Sequence, residues 1–243
     1  MKKHLQHAAF AACTIFGSLS LIIIGTPFIL TRSQFFVRLL SLVWAKSILF
    51  FGKIFCGVNI KIEGEENIPK DKKFILASKH SSTWETLFFY QYFGGAVFVI
   101  KKEIFKIPFA AGVAKSLGMI AIDRSKGISA MTSIINAIKN TKTLPLVIFP
   151  QGTRVKQQNA DYNLDNYPYK KGVVLMSKGS NLPIVLSSHN AFMFWGRSML
   201  SKKTAGTITL KFDSFNKVLQ NDADLKAVSQ IIESTTSNLI TKP

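Results

Sequence analysis

The alternation of apolar and polar positions along the chain changes rhythm near residue 59. Before that point, residues 8–30 carry no charged side chain. A helix needs ~20 residues to cross a bilayer, and the run is long enough for that. A cleaved secretory signal has an apolar region of about 7–15 residues, so this longer run reads as a retained membrane helix or half-inserted hairpin. Residues 31–58 form a second apolar stretch with four cations, Arg32 at its start and three further on. On a helical wheel Arg38, Lys46 and Lys53 share an arc of ~80°, with Phe36, Leu40, Val43, Phe50 and Ile54 opposite. The pattern predicts an interfacial amphipathic helix with its cations toward lipid headgroups.

From Asn59 onward, short apolar runs alternate with helical spacing. Strands are predicted at 59–64, 74–78, 96–100, 119–122, 144–149, 182–186 and 207–212. Residues 86–90 read as helix, and 129–140 place Met131, Ile134, Ile135 and Ile138 at helical intervals. Strands interleaved with helices indicate an α/β fold with a mostly parallel central sheet flanked by helices. Two units follow: membrane-associating helices over 1–58 and an α/β domain over 59–243. Residues 157–169 are polar and rich in Tyr and Asn, as in a loop that covers a site. The last thirty residues give one weak amphipathic helix and no functional signal.

Charge narrows the partners. The chain has 31 Lys and Arg against 13 Asp and Glu, a formal charge of +18, with 47% hydrophobic residues. A basic surface favours a polyanionic partner. High charge together with high hydrophobicity points to an anionic membrane surface rather than nucleic acid, for which no recognition motif is present. Positive charge flanks the first apolar run and is heavier after it, which places the globular part on the cytoplasmic face of the cell membrane. The two cysteines, Cys13 and Cys56, give no disulfide framework and no metal spacing.

The candidate chemistry sits at strand ends, where parallel α/β folds gather ligands. The run 74–78 leads into Lys79-His80-Ser81-Ser82-Thr83-Trp84-Glu85, a strand-to-helix turn. With His80 on the loop and Glu85 in the first helical turn, the carboxylate can hold one imidazole nitrogen while the other takes a proton from a substrate. Asp123-Arg124-Ser125 and Gln151-Gly152-Thr153-Arg154 end two further strands on the same edge. A guanidinium matches phosphate oxygens with paired hydrogen bonds, so Arg124 and Arg154 on one rim suit a phosphate monoester. Gly152 permits close backbone approach to an anion. Lys101 and Lys102 are further cations nearby. No serine nucleophile elbow, dinucleotide loop, phosphate-binding P-loop or metal spacing is present. The residues therefore point to a general base acting on a bound hydroxyl, with neither metal nor covalent enzyme intermediate.

These clusters resemble, in order and spacing, the motifs of the 1-acylglycerol-3-phosphate acyltransferase family. His80-Ser81-Ser82-Thr83-Trp84-Glu85 is similar to its His-x-x-x-x-Asp motif. Gly118-Met119-Ile120-Ala121-Ile122-Asp123-Arg124 resembles the second motif, and Phe149-Pro150-Gln151-Gly152-Thr153-Arg154 the third, usually Phe-Pro-Glu-Gly-Thr-Arg. Leu182-Pro183-Ile184-Val185 is similar to the fourth. The resemblance implies transfer of an acyl chain from acyl-CoA or acyl-ACP, as co-substrate and without a cofactor, to the free hydroxyl of a lysophospholipid. It implies His80 as base and Glu85 as its partner. It also implies that Arg124, Gln151, Gly152, Thr153, Arg154 and Lys102 contact substrate. Two positions depart from the pattern. Glu85 stands where Asp is usual, one methylene longer. Gln151 stands where Glu is usual, which removes a negative charge and bears on acceptor preference. Other readings are acylation of a lyso-ornithine lipid or other lysophospholipid, and a non-enzymatic basic module on the membrane surface. Phe88, Phe89, Ile104, Phe105 and Phe109 are candidates for an acyl channel, with core packing as the plainer role.

Overall fold

The computed structural model describes residues 2–70, 73–123, 127–141, 145–157 and 162–241. The basic tail and the uncharged run form a single helix, α1 (Lys2–Leu30), and α2 (Gln34–Cys56) doubles back along it. The pair is an antiparallel hairpin. Trp44 Nε1 donates to Ser18 Oγ at 2.9 Å, and near the turn Phe28 stacks on Phe36 with centroids 4.5 Å apart. Both helices are long and apolar enough to cross a membrane by length and composition.

α2 docks by a third face that the wheel drawn from sequence did not mark, and leaves the apolar face marked there exposed. Its buried side is Val37, Ala45, Ile48, Gly52 and Cys56, whereas Phe36, Val43, Phe50 and Ile54 are exposed. Arg38, itself exposed, donates from Nε to Gly94 O at 2.9 Å. A wheel gives angles but not partners. The face with small residues docks on the domain because backbones can approach there. A Cβ at Gly52 would lie 2.4 Å from the Trp195 ring, so only glycine admits that contact. The bulky apolar residues stay outward, alongside the exposed Lys46 and Lys53. On α1, Phe16, Leu19, Ile23 and Ile24 are also exposed.

α1 nevertheless reaches the core. Phe10 is buried and meets Trp195 edge-on with centroids 5.6 Å apart. The Lys203 ammonium lies 4.2 Å from the Phe10 ring centre and 4.5 Å from that of Trp195. Burial pushes the Lys203 pKa down to about 8. His7 Nε2 lies 2.8 Å from the Lys203 carbonyl and 3.0 Å from its amide nitrogen.

The seven predicted strands are β1 (Val58–Glu63), β2 (Ile75–Ser78), β3 (Val97–Lys101), β4 (Ile120–Ile122), β5 (Leu146–Ile148), β6 (Ile184–His189) and β7 (Gly206–Lys217). In space their order is β1-β7-β6-β2-β5-β3-β4. Every pairing is parallel except β6 with β7. The expected helices are α3 (Trp84–Tyr92), α5 (Gly127–Asn140) and α7 (Asp222–Thr241); α4 (Pro108–Ser116) and α6 (Gly172–Ser180) were not read from the pattern. The central strands are apolar on both faces, as strands covered on both sides must be. Leu76, Val147 and Val185 face a core shared with α1, α2 and α3. Ile75, Ala77, Leu146, Ile148, Ile184 and Leu186 face one shared with α5, α6 and α7. This three-layer packing brings the C-terminal ends of β2, β3, β4 and β5 to one edge. Pro183 begins β6 at the other edge, so the fourth motif supports the sheet rather than joining the first three.

Candidate active site

His80 leaves β2 where the sheet edge opens, and its geometry is fixed from three sides. Its Nδ1 lies 2.8 Å from Glu85 Oε1. Its ring stacks on Phe149, at the end of β5, with centroids 3.9 Å apart and planes 16° apart. Its carbonyl accepts the Val155 N–H at 2.8 Å. The remaining nitrogen, Nε2, has no hydrogen-bond partner among the described residues. A carboxylate accepts only, so Nδ1 carries the proton and Nε2 presents a lone pair.

Glu85 is wholly buried in the first turn of α3. Its Oε1 also accepts the amides of Ser81 at 2.8 Å and Ser82 at 2.9 Å. Burial pushes its pKa up, but the His80 hydrogen bond, the charges of His189 and His80, and the Ser82 N–H outweigh burial and hold it below the ordinary value. The carboxylate at the helix N-terminus also meets the positive end of the dipole. The extra methylene of Glu is therefore accommodated by the turn, and the contact with His80 is made at 2.8 Å.

Arg154 is half-buried and anchored to the same turn, its Nε donating to Ser82 O at 2.9 Å. Burial lowers its pKa, Glu85 raises it and the like charge of Arg197 lowers it again. Gly152 has φ 69°, a left-handed conformation that favours glycine. Its own N–H donates to Phe149 O at 2.8 Å. The next amide, that of Thr153, makes no hydrogen bond among the described residues and is a backbone donor left for an anion.

His80, Gly152, Thr153, Arg154 and Arg197 line one cavity of about 1000 Å³, at the upper end of the ~300–1,000 Å³ usual for small-molecule sites. Away from these polar residues its walls are apolar, with Leu21 and Ile22 from α1, Leu40 and Trp44 from α2, and Phe109 and Val113 from α4. Of the channel candidates, Ile104 and Phe109 line it. Phe88 and Phe89 are buried in the core, stacked or edge-on among Trp84, Tyr92 and Phe93.

Two expected contacts fall elsewhere. Gln151 is buried and faces away from the cavity, its Nε2 donating to Tyr167 O at 3.1 Å; it tethers the following loop. Lys102 is not a cavity residue. Its Nζ lies 2.7 Å from Asp123 Oδ2, bridging the ends of β3 and β4, and Lys101 lines the wall instead. Arg124, with Ser125, lies outside the described residues.

A second polar assembly backs the site. Lys79, adjacent to His80, is wholly buried, with Nζ 2.8 Å from Glu233 Oε1 on α7 and 2.9 Å from Tyr162 OH. Tyr169 OH donates to Glu233 Oε1 at 2.8 Å, and Tyr162 and Gln157 also donate to this carboxylate. Burial pushes the Lys79 pKa down while Glu233 pulls it up, with a net downward shift. For Glu233, burial acts upward, but Lys79 and the tyrosines hold it below its ordinary value. His189 completes the assembly. Its Nε2 donates to Lys79 O at 3.0 Å, and burial pushes its pKa down, so it is neutral and structural.

Sequence reasoning missed Lys79, Glu233 and Arg197. For Glu233 a signal existed: it falls beside the apolar stripe of α7 formed by Leu225, Val228 and Ile232, where a carboxylate requires a buried partner.

The family model described as Acyltransferase matches residues 59–187. The chain is 28% identical over 194 residues to the 1-acyl-sn-glycerol-3-phosphate acyltransferase of Pseudomonas aeruginosa, covering 79% of this chain and 71% of that one. It is 29% identical to the Borreliella burgdorferi protein of the same name, over 63% of this chain and 61% of the relative. It is 35% identical to the Limnanthes douglasii protein, of which it spans 44%. The crystal structure of the 1-acyl-sn-glycerophosphate (LPA) acyltransferase PlsC from Thermotoga maritima superposes with a TM-score of 0.73. That match covers 98% of this chain and 99% of the other at 19% identity, and so shows a shared fold. With the family model spanning all the strand ends that build the cavity, the chain belongs to the acyltransferase family.

Proposed function

We propose that this protein transfers an acyl chain from acyl-CoA or acyl-ACP to the sn-2 hydroxyl of 1-acyl-sn-glycerol 3-phosphate, giving phosphatidic acid in phospholipid synthesis. The observation that carries this reading is the His80–Glu85 contact at 2.8 Å, placed on the same cavity as Arg154. The names of the relatives supply the acceptor. In this reading His80 Nε2 removes the hydroxyl proton as the oxygen attacks the thioester carbonyl. The C–S bond then breaks, and the imidazolium returns the proton to the departing thiolate. Glu85 fixes the tautomer and stabilises the imidazolium. Base help of this kind contributes ~10²–10⁴-fold. Arg154, the Thr153 amide and Arg124 hold the phosphate, and the apolar walls receive a fatty chain. Holding both substrates in register contributes up to ~7–11 kcal/mol of the barrier.

The exposed apolar residues of α1 and α2 support docking on an anionic membrane at its cytoplasmic face, where lysolipid would enter between the hairpin and α4. The test is thiol release from acyl-CoA and acyl-ACP with a panel of lysolipid acceptors. Wild type is expected to acylate lysophosphatidic acid, and His80→Ala to lose this while still binding vesicles. Full turnover by purified His80→Ala would sink the assignment.

A further inference from the structure

Arg197 lies outside all the motifs, on the segment between β6 and β7, yet it lines the same cavity as His80 and Arg154. The turn that carries it is built rather than loose. Trp195 and Lys203 bridge across its base, and Thr204 N–H donates to Phe194 O at 2.9 Å. Ser201 Oγ accepts the Ser198 N–H at 2.9 Å and lies 2.7 Å from Ser198 Oγ. The buried Lys203 ammonium reaches back to Ser201 O at 2.7 Å.

The turn is also fixed to the catalytic loop. Trp195 Nε1 donates to Thr83 Oγ1 at 3.2 Å, and Arg154 Nε donates to Ser82 O at 2.9 Å. Two guanidiniums are therefore attached through consecutive residues of the His80–Glu85 turn and face one cavity. Arg197 is exposed and makes no hydrogen bond or ion pair among the described residues. Glu85 is engaged by His80 and two amides, and Asp123 by Lys102. Neither carboxylate is placed to neutralise Arg197.

We infer that Arg197 is a second phosphate-binding residue of the acceptor site, pairing with Arg154 around one phosphate monoester and setting the preference for that headgroup. This rests on the reading of the cavity as a lysophospholipid site. Burial is the main reason the Arg154 pKa is lowered, and the like charge of Arg197 lowers it further; a dianion between the two guanidiniums offsets that repulsion. A phosphate monoester carries nearly two charges at neutral pH and offers three oxygens, enough for two guanidinium forks. A zwitterionic phosphodiester offers one charge and an uncharged glycerol offers none, so both leave the pair uncompensated.

The test compares wild type, Arg197→Gln and Arg197→Lys with 1-acylglycerol 3-phosphate, lysophosphatidylcholine and monoacylglycerol as acceptors. Arg197→Gln is expected to raise KM for the phosphate monoester about 10- to 100-fold, the scale of a lost charge-assisted pair, with kcat falling less than KM rises. Its preference over monoacylglycerol should collapse by a similar factor, and Arg197→Lys should restore part of it. A second measurement needs no turnover: glycerol 3-phosphate raises the melting temperature of His80→Ala, and adding Arg197→Gln removes the shift. If KM and headgroup preference match wild type in Arg197→Gln while His80→Ala is inactive, the inference fails and the acyltransferase reading stands. If wild type acylates none of the three acceptors, that reading fails first, and the glycerol 3-phosphate shift alone decides on Arg197.

Discussion

Lys79 and Glu233, separated by most of the α/β domain in sequence, meet 2.8 Å apart directly behind His80. The pair joins β2, the loop carrying Tyr162 and Tyr169, and the last helix. Removing one partner from a buried pair leaves an uncompensated charge and costs about 3–5 kcal/mol, whereas replacing both with apolar residues can be neutral or stabilising. Glu233→Gln is therefore expected to lower the urea midpoint by the larger amount, and Lys79→Met/Glu233→Leu to regain most of it. A double variant as unstable as the single one would show that the ion pair itself, rather than the stranded ammonium, carries the stability.

Glu85 gives a sharper kinetic expectation. Glu85→Gln keeps an acceptor for Nδ1–H but loses the charge that stabilises the imidazolium, and kcat should fall ~10²–10⁴-fold, the span of general-base catalysis. Glu85→Asp keeps the charge and should fall far less, with the three-residue span of the turn closing the missing methylene. Equal losses in the two variants, measured by steady-state thiol release, would mean that reach and not charge governs the contact.

Acid stability follows from three depressed groups. His189 is held below its ordinary value by burial; Glu85 and Glu233 are held below theirs by their partners despite burial. Each then binds protons more readily in the unfolded chain, so each contribution is present above the unfolded pKa and lost as pH falls through the folded one. Stability should begin to drop below pH 6.5, the ordinary histidine value, and fall more steeply below 4.5, the ordinary glutamate value. Denaturant melts from pH 7.5 to 3.5 check this. Glu233→Gln should flatten the lower part of the curve.

The contact at Gly52 predicts a packing defect. Gly52→Ala places a methyl within 2.4 Å of the Trp195 ring, and overpacking of this kind costs about 1–3 kcal/mol. Because Trp195 holds Thr83, the variant should also lose activity beyond what its melting temperature explains. Wild-type turnover at a lowered melting temperature would uncouple the helix contact from the site.

What was legible in the sequence is what strand ends make local. His80, Glu85 and the 149–154 turn sit on consecutive residues after apolar runs, so their convergence followed from a parallel sheet. Reach across the fold was not legible. Gln151 and Lys102 occupy motif positions or their neighbourhood, yet in the turn after β5 Gln151 is drawn to the Tyr167 carbonyl, and the closeness of β3 and β4 hands Lys102 to Asp123. Arg197 follows a strand by several residues of loop, with no periodicity to aim it. The wheel marked the outward bulky face of α2 but not its docking face, because small residues, not apolar ones, decide where two backbones come close.

The seating of Lys203 over Phe10 and Trp195, which themselves meet edge-on, makes the amino-terminal hairpin a structural lever on the site. Any force that lifts α1 into lipid pulls first on a ring that props Trp195, then on Thr83, then on the loop bearing the imidazole. Trimming the chain past Phe10 should accordingly yield not a freely dissolved catalyst but a protein with a hole beneath its reaction centre.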